Sequence, residues 1–319
     1  MNLALKKNGF LYRPMIYQKT LKKDISCIGI GLHSGTKVTL TLKPAPPDTG
    51  IIFRRIDLNG IEIKASYENL YTTYHATSLS RNGAILNTIE HILAALYGLG
   101  VDNAYIELDA DELPIMDGSA APFIYLIFEA GIRRQTKLRK YIKIKKPIHL
   151  SGENKSISLF PSEEFKISYT IVFDHPAIKK QEETLRINRK TFIEHIAPAR
   201  TFGFLRDVEM LRRNGFIKGG SLENAIVLDE NSILNNELRC RNEFVLHKIL
   251  DVIGDVSLLG YPLLGHIVAF RAGHPLHTKL VSEILEHREC WEFSTYRPPI
   301  QAPVASEPLP SPSLIQKEV

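Results

Sequence analysis

The sequence predicts an α+β protein of two similar domains. Each would be an antiparallel or mixed sheet packed against helices, with the active site between the two. Three observations carry this reading. LHSGTKVTLTLKP and HLSGENKSISLFP both alternate apolar and polar residues after a Ser-Gly, with a proline nine positions beyond the glycine (Gly35 to Pro44, Gly152 to Pro161). IEHILAALYG and VLHKILDVIG both place a histidine seven residues before a glycine, at His91/Gly98 and His247/Gly254. The two pairs keep the same order along the chain, which argues for an internal duplication.

Residues 1–14, MNLALKKNGFLYRP, lack the long apolar core and small-residue cleavage site of a signal peptide and are read as an extension. Domain I is expected over 15–135. Alternation after Gly35 reads as a half-buried strand, because successive side chains point to opposite faces. IEHILAALYG reads as an apolar helix with Gly98 as its stop. ELPIMDGSAAPF carries turn and helix-start chemistry, which makes Asp117 a structural cap rather than a catalyst. RRQTKLRKYIKIKK (133–146) is a basic burst, read as a solvated linker between the halves. Domain II is expected over 136–296, with a second Ser-Gly strand and a helix stopping at Gly254. The tail, 297–319, is rich in Pro and Ser and should be disordered.

Of the 319 residues, 44% are hydrophobic and 24% charged, an ordinary globular composition. The net charge of +5 suits an anionic substrate without arguing for nucleic acid. Cys27, Cys240 and Cys290 stand far apart with no CxxC, which excludes a disulfide scaffold and a cysteine-rich zinc site. No uncharged apolar run reaches the ~20 residues that span a bilayer. A soluble cytoplasmic protein without stable membrane insertion is expected.

The stretch FVLHKILDVIGD (244–255) sets His247, Lys248, Asp251 and Asp255 in an apolar helix, where each needs a partner. His247 and Asp251 are four apart and share one helix face. A catalytic zinc takes three protein ligands and keeps one position open. His91 from one domain with His247 and Asp251 from the other gives that number, against the alternative of histidines packed in the core. Glu90, adjacent to His91, would take a proton from zinc-bound water, or else is a helix-surface carboxylate. RAGHPLHTKL adds His274 and His277, read either as a general acid at a turn or as surface histidines. PARTFGF offers the hydroxyl of Thr201 between Arg200 and Phe202.

GLHSGTKVTLTLKPAPPDTGIIFRR, IEHILAALYGLGVDN, PIMDGSAAPF, ARTFGFLRD, GFIKGGSLENAIV, HKILDVIGD and AGHPLHTKL, in this order from about Gln18 to about Phe293, resemble the zinc-dependent UDP-3-O-acyl-N-acetylglucosamine deacetylases of lipid A biosynthesis. The resemblance implies hydrolysis of the N-acetyl group of an acylated UDP-glucosamine, the committed step toward lipopolysaccharide. It implies His91, His247 and Asp251 as Zn2+ ligands and Glu90 as general base. His274 is implied as the charged acid, with Asp255 orienting it. Thr201 and Lys248 match the residues that hold the developing oxyanion.

An insert at about 196–230 matches the passage for the acyl chain, with Phe202, Ile217, Leu222 and Val227 as its wall. Lys155, Phe173 and Arg271 match positions near the nucleotide. Leu222 and Val172 depart from residues found in some relatives, an aromatic and a carboxylate respectively. A monomer is the assembly expected. A zinc amidohydrolase of another N-acetylated sugar nucleotide is the alternative, and the apolar insert argues against it. A nucleic-acid module would interleave aromatics with Lys and Arg, and no such run is present.

Overall fold

The computed structural model describes residues 16–235 and 237–295. The expected extension 1–14 and tail 297–319 lie outside the described residues. In the first half, five strands lie in the spatial order Ile25–Ile30, Lys37–Pro44, Ala104–Leu108, Ile51–Arg55, Ile61–Lys64. The third and fourth are parallel, and the other neighbours antiparallel. In the second half, Ile148–Gly152, Lys155–Phe160, Leu263–Phe270, Phe165–Val172 and Lys180–Arg186 repeat this order. Again only the third and fourth of the five run parallel. Strands Tyr141–Ile144 and Trp291–Ser294 extend the second sheet. Chance does not reproduce a mixed strand order with the same single parallel contact, so the duplication read from the motifs extends to topology.

The helices repeat as well. Helix α1 (Glu90–Leu99) precedes the central strand Ala104–Leu108, and α2 (Ala121–Ala130) follows it. Between the halves' equivalent parts lie the short turn α3 (Arg189–Thr191) and the helix α4 (Leu205–Arg213). Helix α5 (Glu243–Val256) then precedes the central strand Leu263–Phe270, and α6 (His274–Glu286) follows it. Alternation buries one face of each sheet: Val38, Leu40 and Leu42 in the first, Phe165, Ile167, Tyr169 and Ile171 in the second. Helices α1 and α5 are buried nearly all round, as helices at the centre of a protein must be.

The glycines expected to stop these helices do something else. Gly98 and Gly254 both lie inside their helices, and α1 ends at Gly100, whose φ of 72° is the left-handed cap conformation. A Cβ on Gly254 would overlap the backbone carbonyl of Glu90, and one on Gly98 would overlap the Phe192 ring. The glycines therefore permit close packing, and Gly254 brings the α5 backbone against the first turn of α1. The basic stretch 133–146 is not a linker but two strands. Ile132–Leu138 pairs antiparallel with Tyr17–Leu21, and Tyr141–Ile144 belongs to the second sheet. Arg133, Arg134 and Lys137 stay exposed, so the charge marks a solvated strand face.

Candidate metal centre and active site

The close contact of α1 with α5 brings residues from both halves together in a buried space. His91, on the first turn of α1, lies opposite His247 on α5, their rings 5.1 Å apart and nearly perpendicular. Asp251, one turn beyond His247, places Oδ1 3.3 Å from His247 Nε2 and 3.9 Å from His91 Nε2. His247 Nδ1 donates to the Ala199 carbonyl at 3.0 Å, because a carbonyl can only accept. Its Nε2 therefore carries the lone pair and faces Asp251. Arg200 is tied to the buried Glu243 at the start of α5, at 2.8 Å, which anchors the segment carrying Ala199.

Protonation states follow from burial and charge. Burial, with His247 nearby, pushes His91 down to about 3, and burial also lowers His247, so both rings are neutral. Burial works against ionising Asp251, but His247 and Lys248 hold it well below the usual carboxylate range. Lys248 Nζ donates to Asp251 Oδ2 at 2.7 Å, while Asp251 Oδ1 is buried with no hydrogen-bond partner. An orphaned carboxylate oxygen beside two neutral imidazoles, one of them with its lone pair turned toward it, is costly as it stands. It is the donor set that a divalent transition metal accepts, with positions left for water or substrate. His91, His247 and Asp251 thus fit a metal ion.

Beside this set lies a second network. Asp255, one turn past Asp251, accepts from His274 Nδ1 at 2.7 Å and from His277 Nδ1 at 2.8 Å through Oδ2. Its Oδ1 accepts from the Thr77 hydroxyl at 2.6 Å. His274 opens α6, where the positive helix end disfavours an imidazolium. Burial opposes the charge too, yet Asp255 and Asp251 carry His274 up to about 9. His274 Nε2 lies 3.9 Å from Glu90 Oε1 and 3.9 Å from Asp251 Oδ2. Burial pushes Glu90 up to about 7, and its Oε2 accepts from the Thr77 N–H at 3.1 Å. A carboxyl group near neutrality therefore faces an imidazolium across the space flanked by the metal ligands.

Sequence reasoning had singled out His91, His247, Asp251, Asp255, His274 and Glu90, and the fold brings all six together. It missed Thr77, which sits in the irregular segment before a short strand and gives no periodic signal. His277 is not at the surface: it is fully buried, with Nε2 2.9 Å from the Tyr169 hydroxyl. Asp117 does not cap α2, whose N-cap position is Ala120 with no side-chain bond; it closes the preceding turn, accepting from the Ser119 N–H at 2.9 Å, and pairs with Arg239 at 2.9 Å.

Thr201 lies two residues beyond Ala199, and its backbone N–H donates to the Gly118 carbonyl. Phe202 is half-buried, 5.0 Å from Phe244 and 5.6 Å from Phe173, with Lys248 Nζ 5.5 Å above its ring. Phe202 thus adjoins the centre, 6.5 Å from the His247 ring, and Phe173 packs against Phe202 and Phe204. Within 196–230, strand Phe202–Phe204 pairs in parallel with Ile226–Leu228, and α4 connects them. Val227 is half-buried on that pair, Ile217 is half-buried with φ 53°, and Leu222 is 51% exposed. Lys155 and Arg271 are both exposed at the end of the second sheet, flanking the Ser156–Phe270 pair, with Arg271 three residues before His274. Among the described residues no helix is long and apolar enough to cross a membrane.

Comparison with known proteins bears on this site. Residues 18–286 match the model of the UDP-3-O-acyl N-acetylglycosamine deacetylase family. The chain is 49% identical over 284 residues to the UDP-3-O-acyl-N-acetylglucosamine deacetylase of Syntrophus aciditrophicus (strain SB), covering 88% of this chain and 90% of that protein. Proteins of the same name are similar in Saccharophagus degradans (strain 2-40), 48% over 295 residues, and in Geobacter sp. (strain M21), 46% over 286 residues. These alignments cover 91% and 89% of this chain, and 97% and 94% of the respective relatives.

Proposed function

The chain belongs to the UDP-3-O-acyl N-acetylglycosamine deacetylase family, and from this we propose that it is a zinc-dependent amidohydrolase that removes acetate from UDP-3-O-acyl-N-acetylglucosamine. That is the committed step of lipid A biosynthesis, and the reading places the enzyme in the cytoplasm, as a monomer. One observation supports it most: two neutral imidazoles and an orphaned carboxylate, drawn from both halves, flank a carboxyl near pKa 7 and an imidazolium near 9.

Zinc held by His91, His247 and Asp251 would polarise the acetyl carbonyl and acidify the attacking water. Glu90, ionised near neutral pH, takes the proton from that water as its oxygen attacks the carbonyl carbon. Lys248 and Thr201 offer a charge and a hydroxyl to the carbonyl oxygen as it gains negative charge. His274, kept cationic by Asp255, gives its proton to the glucosamine nitrogen as the C–N bond breaks. Acetate and the free amine result. His277 and Thr77 hold Asp255 in place, so the acid's charge does not depend on solvent.

The apolar insert supports an acylated substrate over a simpler sugar nucleotide. Phe202, Ile217, Leu222 and Val227 are assigned to the acyl chain, and Lys155, Phe173 and Arg271 to the nucleotide. Deacetylation assayed on UDP-N-acetylglucosamine with and without the 3-O-acyl chain tests this. A large loss of kcat/KM without the chain is expected. Equal rates on both substrates would favour the alternative, an amidohydrolase of another N-acetylated sugar nucleotide.

A further inference from the structure

The basic strand Ile132–Leu138 plays no part in the chemistry above, and neither does the exposed side of α2. The two meet at the C-terminal end of that helix. There the backbone N–H groups of Lys22 and Lys23 donate to the carbonyls of Gly131 and Ala130, at 2.9 and 3.3 Å. Strand Tyr17–Leu21 leads straight into this turn, and its Thr20 lies opposite Arg133. Phe128 stands three residues before Gly131, ~5 Å along the helix. The Arg189 guanidinium carbon is 5.4 Å from the centroid of its ring.

Charge at this end is one-sided. Among the described residues, Lys22, Lys23, Arg133, Arg134 and Arg189 have no carboxylate within 4.0 Å. The neighbouring Arg186 and Lys190 stand apart from this set, because Glu164 and Glu194 pair with them. Residues 17–24 and 121–138 contain two carboxylates, Asp24 and Glu129, and Asp24 is taken by Lys43 at 3.9 Å. The end of α2 adds about half a negative charge, too little to reverse the balance. Residues 1–15, which precede this strand in the sequence, add Lys6, Lys7 and Arg13 and no carboxylate. A helix end gains from a cation or two in its last turn, which explains neither this excess nor the bare rings beside it. Tyr125 is 40% and Phe128 38% exposed, and their spacing of three makes them neighbours on the helix surface. Rings and lysine stems on apolar matter, with the charges reaching phosphate, suit the headgroup boundary of a bilayer. Nucleic acid instead stacks bases on open ring faces. Here Arg189 covers one face of Phe128, and Arg134 stands 3.7 Å over the Tyr17 ring.

We propose that this surface docks the chain on an anionic lipid bilayer, with Tyr125 and Phe128 seated among the headgroups and the surrounding lysines and arginines on their phosphates. The contact is peripheral and crosses no membrane. The test is flotation of the full-length metalloenzyme with vesicles of phosphatidylcholine, alone or mixed with phosphatidylglycerol. Binding to the mixed vesicles and not to phosphatidylcholine alone is expected, and it should weaken as salt is added. Lys22→Glu/Lys23→Glu should weaken it at least ~tenfold, as the loss of two cations at such a surface implies. Phe128→Ser should weaken it at least ~threefold, through lost apolar contact. The same charge change on exposed lysines of the second half, Lys146→Glu/Lys279→Glu, should leave most of the binding intact. All these variants should keep the wild-type thermal unfolding temperature and the deacetylation rate without vesicles. Absence of binding to the mixed vesicles would overturn the proposal, and so would an equal loss in the second-half variant. Binding of a short DNA duplex as tightly as the mixed vesicles, at matched phosphate concentration, would show a site for any polyanion and overturn it too.

Discussion

Thr77 donates its hydroxyl to Asp255 Oδ1 at 2.6 Å, and its backbone N–H to Glu90 Oε2 at 3.1 Å. One residue of the first half therefore holds both the carboxylate bonded to His274 and the Glu90 carboxyl, the groups proposed as acid support and base. Neither contact depends on the metal.

Thr77→Val keeps the volume and removes the hydroxyl. Asp255 then loses a donor that favours its ionised form, and a hydrogen bond to a charged group contributes about 1.5–3 kcal/mol. Steady-state kinetics should show kcat falling at least ~tenfold with KM little changed, and Thr77→Ser should restore most of it. The more basic Asp255 should also move the alkaline limb of the pH profile upward. A kcat for Thr77→Val equal to wild type would remove Thr77 from any positioning role.

The pH dependence follows from two opposed groups. Burial carries Glu90 up to about 7, and a base must be ionised to accept a proton, so activity should rise as pH climbs through about 7. Despite burial, Asp255 and Asp251 carry His274 up to about 9, and an acid must be protonated to donate, so activity should fall above about 9. The profile of kcat/KM should be bell-shaped with those limbs. Glu90→Gln should retain metal and lose most turnover along with the acid limb. An acid limb that survives Glu90→Gln belongs to another group.

Metal binding should depend on ligands from both halves. Zinc content measured on purified His91→Ala and His247→Ala should collapse relative to wild type, and Asp251→Asn should weaken retention during dialysis against a chelator. Full zinc content in both histidine variants would place the ion elsewhere.

Gly254 and Gly260 separate two reasons for glycine. A Cβ at Gly254 meets the Glu90 backbone, whereas at Gly260 nothing stands within 4 Å and φ is 74°. Gly254→Ala should destabilise by about 1–3 kcal/mol through overpacking and loosen the metal site with it. Gly260→Ala should cost only the ~1–2 kcal/mol of a left-handed conformation and leave metal affinity alone. Urea unfolding and zinc titration of both variants distinguish these effects.

Much of the architecture could be read in advance where local pattern and tertiary role coincide. Alternation at Val38, Leu40 and Leu42 marks a strand because one face is buried. His247 and Asp251 share a helix face by spacing alone. The rest depended on contacts between distant segments. Thr77 is 178 residues from Asp255, and no window on the chain joins them. Gly254 looked like a helix stop because glycine both ends helices and allows close packing, and only the neighbouring Glu90 carbonyl decides which. Residues 133–146 looked like a linker because their charges hid a strand whose partner, Tyr17–Leu21, lies over a hundred residues away.

The repeated topology has a consequence for direction. Two identical helices facing each other would present the same groups from both sides, and such a centre could not tell a substrate's acyl carbon from its leaving nitrogen. Here the histidines still match, but Asp251 corresponds to Ala95, Glu90 to Leu246, Lys248 to Ile92 and Asp255 to Leu99. The matched pair supplies a shared anchor. Under the proposed mechanism the mismatched positions would supply base on one side and acid support on the other, so the handedness of the reaction would reside in the residues where the two halves ceased to agree.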